Sequence, residues 1–344
     1  MFHLKKLFMT KIIKKRKKKQ PFDYAMAEAF TIDKKGDGTF NNSYYFSAHC
    51  PRNKQSLYTR LGLRDDGSAE VWFYFDTEEN NFYHTTLLYT AKTSPLKVKN
   101  DNGAWSFSFE GELTDKDGKV VPCKANCDFK SDKPAVDFFY HMPSSRMGTA
   151  MAHDKWTKEY FAGFKKNNSV HYEQEGRLFG SVTIDGRVFD IDLPCLRDHS
   201  FGRRVWGYMN NHLWLAALCD DYALNFSMVS YPYLTILEVG HVRNGANPIE
   251  YVTKAHYNRN EIVTGEVPKQ LSLVATTNKK RKIEIKANLL RYVPYVFENG
   301  DYTLVEGIAN YEIDGVKCRG IFEIGFNKDK ARFMNGKKIS KIKE

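Results

Sequence analysis

The sequence predicts an all-β protein built as two antiparallel domains of similar size, each a barrel or a sandwich, and three observations carry that reading. Segments rich in Tyr, Phe, Val, Ile and Thr alternate with Gly, Asn and Asp along most of the chain, at a spacing of about ten residues that antiparallel sheets require. Four of the intervening turns supply Gly or Asn/Asp where a tight hairpin needs positive φ. The 344 residues suffice for two ordinary domains, and 42% hydrophobic with 14% aromatic content provides ample material for buried cores, so disorder is not the expectation.

The elements follow in order. Residues 1–20 form a cationic tail holding nine Lys or Arg and no Asp or Glu, so the remaining residues carry 43 basic against 41 acidic side chains, a balance of +2 within the chain's +11. Met1, Leu4, Phe8 and Ile12, with Phe2 and Leu7 beside them, share one side of a helix there. The apolar run is broken by lysines and falls short of the roughly twenty residues that span a bilayer. It also lacks the order of charge and cleavage site of a secretory signal. The tail reads as a solvated end, as a helix lying on an anionic membrane, or, through Lys14 to Lys19, as a nuclear address or polyanion contact.

Asp23 to Phe30 can form a short helix, and Gly36 to Gly38 a turn. Arg64-Asp-Asp-Gly67 separates strands Tyr58 to Leu63 and Glu70 to Phe75. Asn100-Asp-Asn-Gly103 precedes Trp105 to Glu112, where Trp105, Phe107 and Phe109 share one face and Ser106, Ser108 and Glu110 the other. Asp115-Lys-Asp-Gly118 precedes Lys119 to Cys123. Between Met147 and Lys166 the rhythm changes, with Trp156, Tyr160, Phe161 and Phe164 at helical spacing. This short helical linker sets the expected boundary between a first domain, 21–166, and a second, 167–344. Ile184-Asp-Gly186 opens the second domain's meander, which runs on to Phe326.

The six cysteines are scattered in a large chain, and reduced thiols in a cytoplasmic protein are the expectation. Cys123 and Cys127 alone have suggestive spacing, but lack the further ligand pair that zinc needs. No metal and no cofactor is expected: HxxxH and HExxH spacings, a phosphate-binding loop and a dinucleotide fingerprint are all missing, as is a nucleophile elbow.

The chemistry concentrates in His171-Tyr-Glu-Gln174, in Arg197-Asp-His-Ser-Phe-Gly202 and in Trp206. Ionisable side chains inside strand-like, apolar surroundings must pair, ligate or catalyse. Along a strand, Asp198 points to one face and both Arg197 and His199 to the other, so only one set can meet a ligand directly. In one reading the cluster is a site at the seam between the two domains, where Asp198 or His199 is a general acid or base, Arg197 fixes a carboxylate or polarises a carbonyl, and Tyr172 and Glu173 reach in from the neighbouring strand. In the other, Asp198 pairs with Arg197 or His171 and caps the following turn, in a buried polar network that specifies how the two domains dock. Trp206 and Trp214 are ring-lined pocket wall or core.

These motifs, with Gly180 and Gly186 between them, resemble the two-domain lipocalin-like proteins grouped with hydroxyneurosporene synthase (carotenoid 1,2-hydratase), attachment-type proteins, survival-factor ceramide carriers and Diels–Alder cyclases. The resemblance is closest to a branch carrying HYEQ and then RDHSWG, from which Phe201 departs. It runs from Tyr44 through Tyr58 to Arg64 and Val71-Trp72 to Glu306–Tyr311 and Gly320–Glu323. It implies two lipocalin-like barrels able to enclose a hydrophobic ligand, in a group whose members divide between carriers and enzymes. The expected function is therefore an intracellular carrier of a lipid or isoprenoid, with Arg197, His171, Tyr172, Glu173, Trp206 and Trp214 as ligand contacts. The alternative is a cofactor-free hydratase, isomerase or cyclase using Asp198 and His199. An anionic membrane is the expected partner of residues 1–20, and specific nucleic-acid binding is not expected.

Overall fold

The computed structural model describes residues 1–32, 36–101, 103–166, 169–220, 222–297 and 300–329, with backbone only for 85–88 and 163–166. Asn102, the Phe164 side chain and the last fifteen residues of the expected second domain lie outside that set. The fold is two closed eight-stranded antiparallel barrels.

The first barrel takes β1 (Phe40–Cys50), β2 (Gln55–Arg64), β3 (Ser68–Asp76), β4 (Asn81–Thr90), β6 (Ala104–Asp115), β7 (Val120–Lys130), β9 (Val170–Ile184) and β10 (Arg187–Arg203) in that circular order, and β10 pairs back to β1. Short strands β5 (Leu96–Asp101) and β8 (Val136–Asp137) pair with β6 and β9. The β9–β10 hairpin turns on Asp185 and Gly186, both at positive φ (50° and 80°), the two-residue geometry that Asp-Gly favours.

Alternation decides what fills this barrel. Trp105, Phe107 and Phe109 point into the core as their period predicts, with Ser106 and Ser108 half-buried and Glu110 exposed. Phe46, Phe73, Phe75, Phe129 and Leu178 meet them there. Polar side chains, among them Asn42, Arg197 and His199, line the end where β10 finishes and β1 and β9 begin. A short helix lies there: α2 (Tyr24–Glu28), whose N-cap Asp23 accepts a hydrogen bond from Met26 N at 2.9 Å. Just beyond it, Phe30 stacks on Phe201, centroids 3.9 Å apart and planes 3° from parallel.

The second barrel is β11 (Asn211–Cys219), β12 (Tyr222–Tyr231), β13 (Leu234–Asn244), β14 (Glu250–Tyr257), β15 (Gln270–Thr277), β16 (Lys282–Phe297), β17 (Tyr302–Ile313) and β18 (Val316–Asn327), each paired to the next and β18 to β11. Its core is largely aliphatic, including Leu213, Leu215, Val252, Ile283 and Ile285.

Three helices belong to the same unit: α1 (Phe2–Lys19), α3 (Ser144–His153) and α4 (Lys158–Lys166). The helix of residues 1–20 is therefore docked on protein. Met9 and Ile13 are buried with Ala150, Met151, Tyr160 and Leu234. Burial of this kind contributes about 1.5–3 kcal/mol per large apolar side chain. Gly148 on α3 permits the approach, since a Cβ there would come within 2.9 Å of the Lys6 carbonyl oxygen. Lys5 Nζ donates to the Asp154 carbonyl at 2.7 Å and Lys17 Nζ to that of Met142 at 2.6 Å.

The domain boundary differs from the expected 166/167. The two compact units are residues 23–137 with 169–204, and residues 1–22 with 138–168 and 205 onward. The helical segment interrupts the first barrel, because β9 and β10 return to pair with β7 and β1 and complete its circuit. Barrel closure is a long-range pairing, which strand patterning does not encode. Among the described residues no helix is long and apolar enough to cross a membrane.

Candidate functional site

Register builds the site before any side chain is considered. In the first barrel His199 lies opposite Tyr172 on β9 and opposite Tyr44 on β1, while Arg197 lies opposite Gln174. Residues directly opposite one another in antiparallel strands share a face. Here that face is the barrel interior. Asp198, opposite Glu173, takes the other face with His171.

On the inner face Arg197 is 2% exposed. Its Nη2 donates to Glu28 Oε1 (2.7 Å), Tyr24 OH (3.0 Å) and Gln174 Oε1 (3.0 Å). Its guanidinium lies 4.5 Å from the Trp105 ring centroid and 5.7 Å from those of Phe129 and Tyr172. Its Nε and Nη1, both buried, have no hydrogen-bond acceptor among the described residues. A buried guanidinium with unspent donors is costly to maintain, and such donors suit a ligand oxygen.

Beside it runs a chain of hydrogen bonds. Tyr172 OH lies 2.7 Å from Glu28 Oε1 and 2.5 Å from His199 Nδ1. His199 Nε2 is 2.8 Å from the Asn42 side-chain amide, which is itself 2.9 Å from Tyr44 OH. Burial, reinforced by Arg197, pushes the His199 imidazole down to about 3, so it is neutral at physiological pH. Burial and the Glu28 charge push the Tyr172 phenol well above its usual range.

A phenol has one proton and cannot donate to both neighbours. The arrangement that satisfies every group with neutral His199 puts the imidazole proton on Nδ1, donated to Tyr172, whose own proton goes to Glu28. The Asn42 amide then turns its NH2 to Nε2 and its oxygen to Tyr44, a half-turn that exchanges two nearly identical atoms. The result is a directed chain from Tyr44 to a carboxylate.

The outer face has the opposite electrostatics. His171 Nε2 pairs directly with Asp198 and lies 3.5 Å from Glu173 Oε1. Burial opposes the imidazolium, but the two carboxylates prevail and raise His171 to about 10. One ligand atom from each of His171, Glu173 and Asp198 lies within 4.8 Å of the others, so these three could hold a metal ion. A metal would first have to displace the proton from His171, which weakens the fit at neutral pH. Cys123 and Cys127 face the first core, and burial pushes both thiols up to about 12, far from a metal-binding thiolate.

Six of the eight site residues expected from sequence thus lie on the paired strands β9 and β10, divided between two faces. Trp206 and Trp214 belong to the other unit. There Trp206 is buried and stacks on Phe297 at 4.6 Å and Tyr302 at 6.0 Å, while Trp214 is half-buried on β11. Tyr302 OH and Glu323 Oε1 each lie 2.6 Å from a nitrogen of His212. Sequence reasoning missed Glu28, Tyr24, Asn42 and Trp105 as members of the first-barrel cluster. Glu28 is a lone acid at the end of a five-residue helix, and nothing local marks it; Gln174 was visible as the last letter of HYEQ.

No curated protein sequence matches the chain. Among solved structures it is similar to kievitone hydratase from Nectria haematococca (TM-score 0.56, 14% identity, 90% of this chain and 94% of that one). It is similar also to an AttH-like protein from Nitrosomonas europaea (TM-score 0.56, 11% identity, 89% and 96%). A third is CghA, crystallised with Sch210972 (TM-score 0.51, 11% identity, 84% and 88%). At these identities the likeness is one of fold, the lipocalin-like two-barrel architecture. The sequence pattern of the family described as "Domain of unknown function (DUF7064)" matches residues 33–328, and the chain belongs to that family.

Proposed function

We propose that this chain is a cofactor-free acid–base enzyme, a hydratase, isomerase or cyclase, acting on an apolar small molecule that carries a carbonyl or carboxylate oxygen. The observation that carries the reading is the inner face of the first barrel: Arg197 with Nε and Nη1 unspent among aromatic rings, beside the Glu28–Tyr172–His199 chain. Arg197 would bind the ligand oxygen and stabilise negative charge developing there. Tyr172 would give its proton to a carbon of the substrate, and the His199 Nδ1–H would hold the phenolate left behind. In hydration, water adds to the adjacent carbon in the same step, and its surplus proton returns to the Tyr172 oxygen.

Asp198, held by a protonated His171 on the other face, has a structural role in this scheme, so the acid–base pair expected from sequence is reassigned to His199 with Tyr172. The similar scaffold of kievitone hydratase supports the same reaction class. The motif resemblance to the hydroxyneurosporene synthase group belongs to the proposal too, as does a cytoplasmic location with free cysteines. The second reading, a carrier, rests on the ring-lined interior alone.

The test begins with whatever small molecule copurifies, identified by native mass spectrometry. Incubated with the protein in D2O, it should gain deuterium or a molecule of water. Tyr172→Phe and His199→Gln should abolish that change while still binding, and Asp198→Asn should retain it. A bound compound that the wild-type protein leaves unaltered would return the carrier reading.

A further inference from the structure

We infer that α1 is a docking element for an anionic lipid bilayer, using the face that it does not spend on the protein. The inward face is occupied, with Met9 and Ile13 buried against α3. The outward face is apolar where a folded surface helix is normally polar. Met1, Leu4, Leu7, Phe8 and Ile12 are exposed at 93%, 73%, 68%, 57% and 42%. At 100° per residue, Leu4, Leu7, Phe8 and Ile12 fall within one arc of about 140°.

The same arc changes character along the helix. Its N-terminal half presents the apolar side chains, and its C-terminal half presents Lys11, Lys15, Lys18 and Lys19, all exposed, with Lys14 at the margin. No acidic residue lies anywhere between 1 and 20. Apolar side chains grouped beside lysines match the two layers of a membrane surface, acyl boundary and anionic headgroup. A polyanion alone would need the lysines but would leave Leu4, Leu7 and Phe8 unexplained. Because the helix is already folded and anchored by Lys5, Lys17 and its buried face, binding need not order it.

The experiment uses the full chain and sedimentation with phosphatidylcholine vesicles, with and without phosphatidylserine. Binding should require phosphatidylserine and weaken with added salt. Lys14→Gln, Lys15→Gln, Lys18→Gln and Lys19→Gln together should cut partitioning more than tenfold, since each lysine near an anionic surface contributes on the order of fivefold. Leu4→Glu with Leu7→Glu should abolish it at unchanged melting temperature, because Met9, Ile13 and the contact of Phe8 with Trp156 remain in place. Phe8→Trp, which keeps the apolar character, should show a blue-shifted emission on vesicles and serves if the charged pair misfolds. Equal binding to vesicles lacking phosphatidylserine, no emission shift, or binding to heparin unaffected by Leu4→Glu and Leu7→Glu while vesicles stay unbound would overturn the inference.

Discussion

Glu28→Ala is the sharpest probe of the polar end of the first barrel. The carboxylate accepts from Arg197 Nη2 and Tyr172 OH, each at 2.7 Å, and only 8% of its side chain is exposed. Removing one member of a buried ion pair costs about 3–5 kcal/mol, because the other charge is left without its partner. That cost falls on α2 before it falls on the barrel. A five-residue helix has no stability of its own, and without Glu28 it is held by Tyr24 and by the Phe30–Phe201 stack, which is worth about 0.5–1.5 kcal/mol. Hydrogen exchange should therefore show the Ala27, Ala29 and Phe30 amides, bonded to Asp23, Ala25 and Ala27, losing protection on the order of a hundredfold. Amides of β6 and β7 should change far less. Glu28→Gln keeps an acceptor, loses the charge and should fall between. Unaltered protection in α2, or a loss spread evenly over the barrel, would refute the assignment of Glu28 as the anchor.

Two further outcomes follow from the opposed faces. His199 is held below its unfolded value, so the unfolded chain takes up a proton first as pH falls: the stability this contributes is intact above about 6.5 and declines by about 1.4 kcal/mol per pH unit towards 3. His171, held above its unfolded value, contributes below about 6.5 and is lost as pH rises through about 10. In urea titrations across pH, His199→Gln should flatten the acid limb and His171→Gln the alkaline one; a limb unmoved by its substitution would exclude that histidine as its cause. Nitrogen-15 spectra should find His199 neutral with its proton on Nδ1, and a proton on Nε2 would break the directed chain from Tyr44 to Glu28.

The sequence was most readable where structure is local. Trp105, Phe107 and Phe109 announced an inward face by period two, Asp185-Gly186 announced a hairpin, and the division of Asp198 from Arg197 and His199 followed from strand alternation. What stayed hidden depends on residues far apart in the chain. Glu28 meets Arg197 across 169 positions, and Asn42 meets His199 across 157. The same distance effect displaced the domain boundary, since the helices α3 and α4 look like a linker until β10 is seen to pair with β1. The tail's apolar pattern was legible as helical, but not which residues would face the protein: Met9 and Ile13, outside the noted stripe, are the buried ones.

The late arrival of β9 and β10 bears on how the chain is made. When synthesis has reached residue 166, the six earlier staves of the first barrel exist, yet β1 and β7 both present open hydrogen-bonding edges. α1, which precedes both barrels in the chain, must wait for Leu234 before its buried cluster is complete. The nascent protein therefore spends a long interval with sticky margins uncovered, a state in which non-native strand pairing and chaperone capture compete with closure. Any fragment ending at the helices inherits that exposure permanently, whereas one extended to Arg203 can shut its ring.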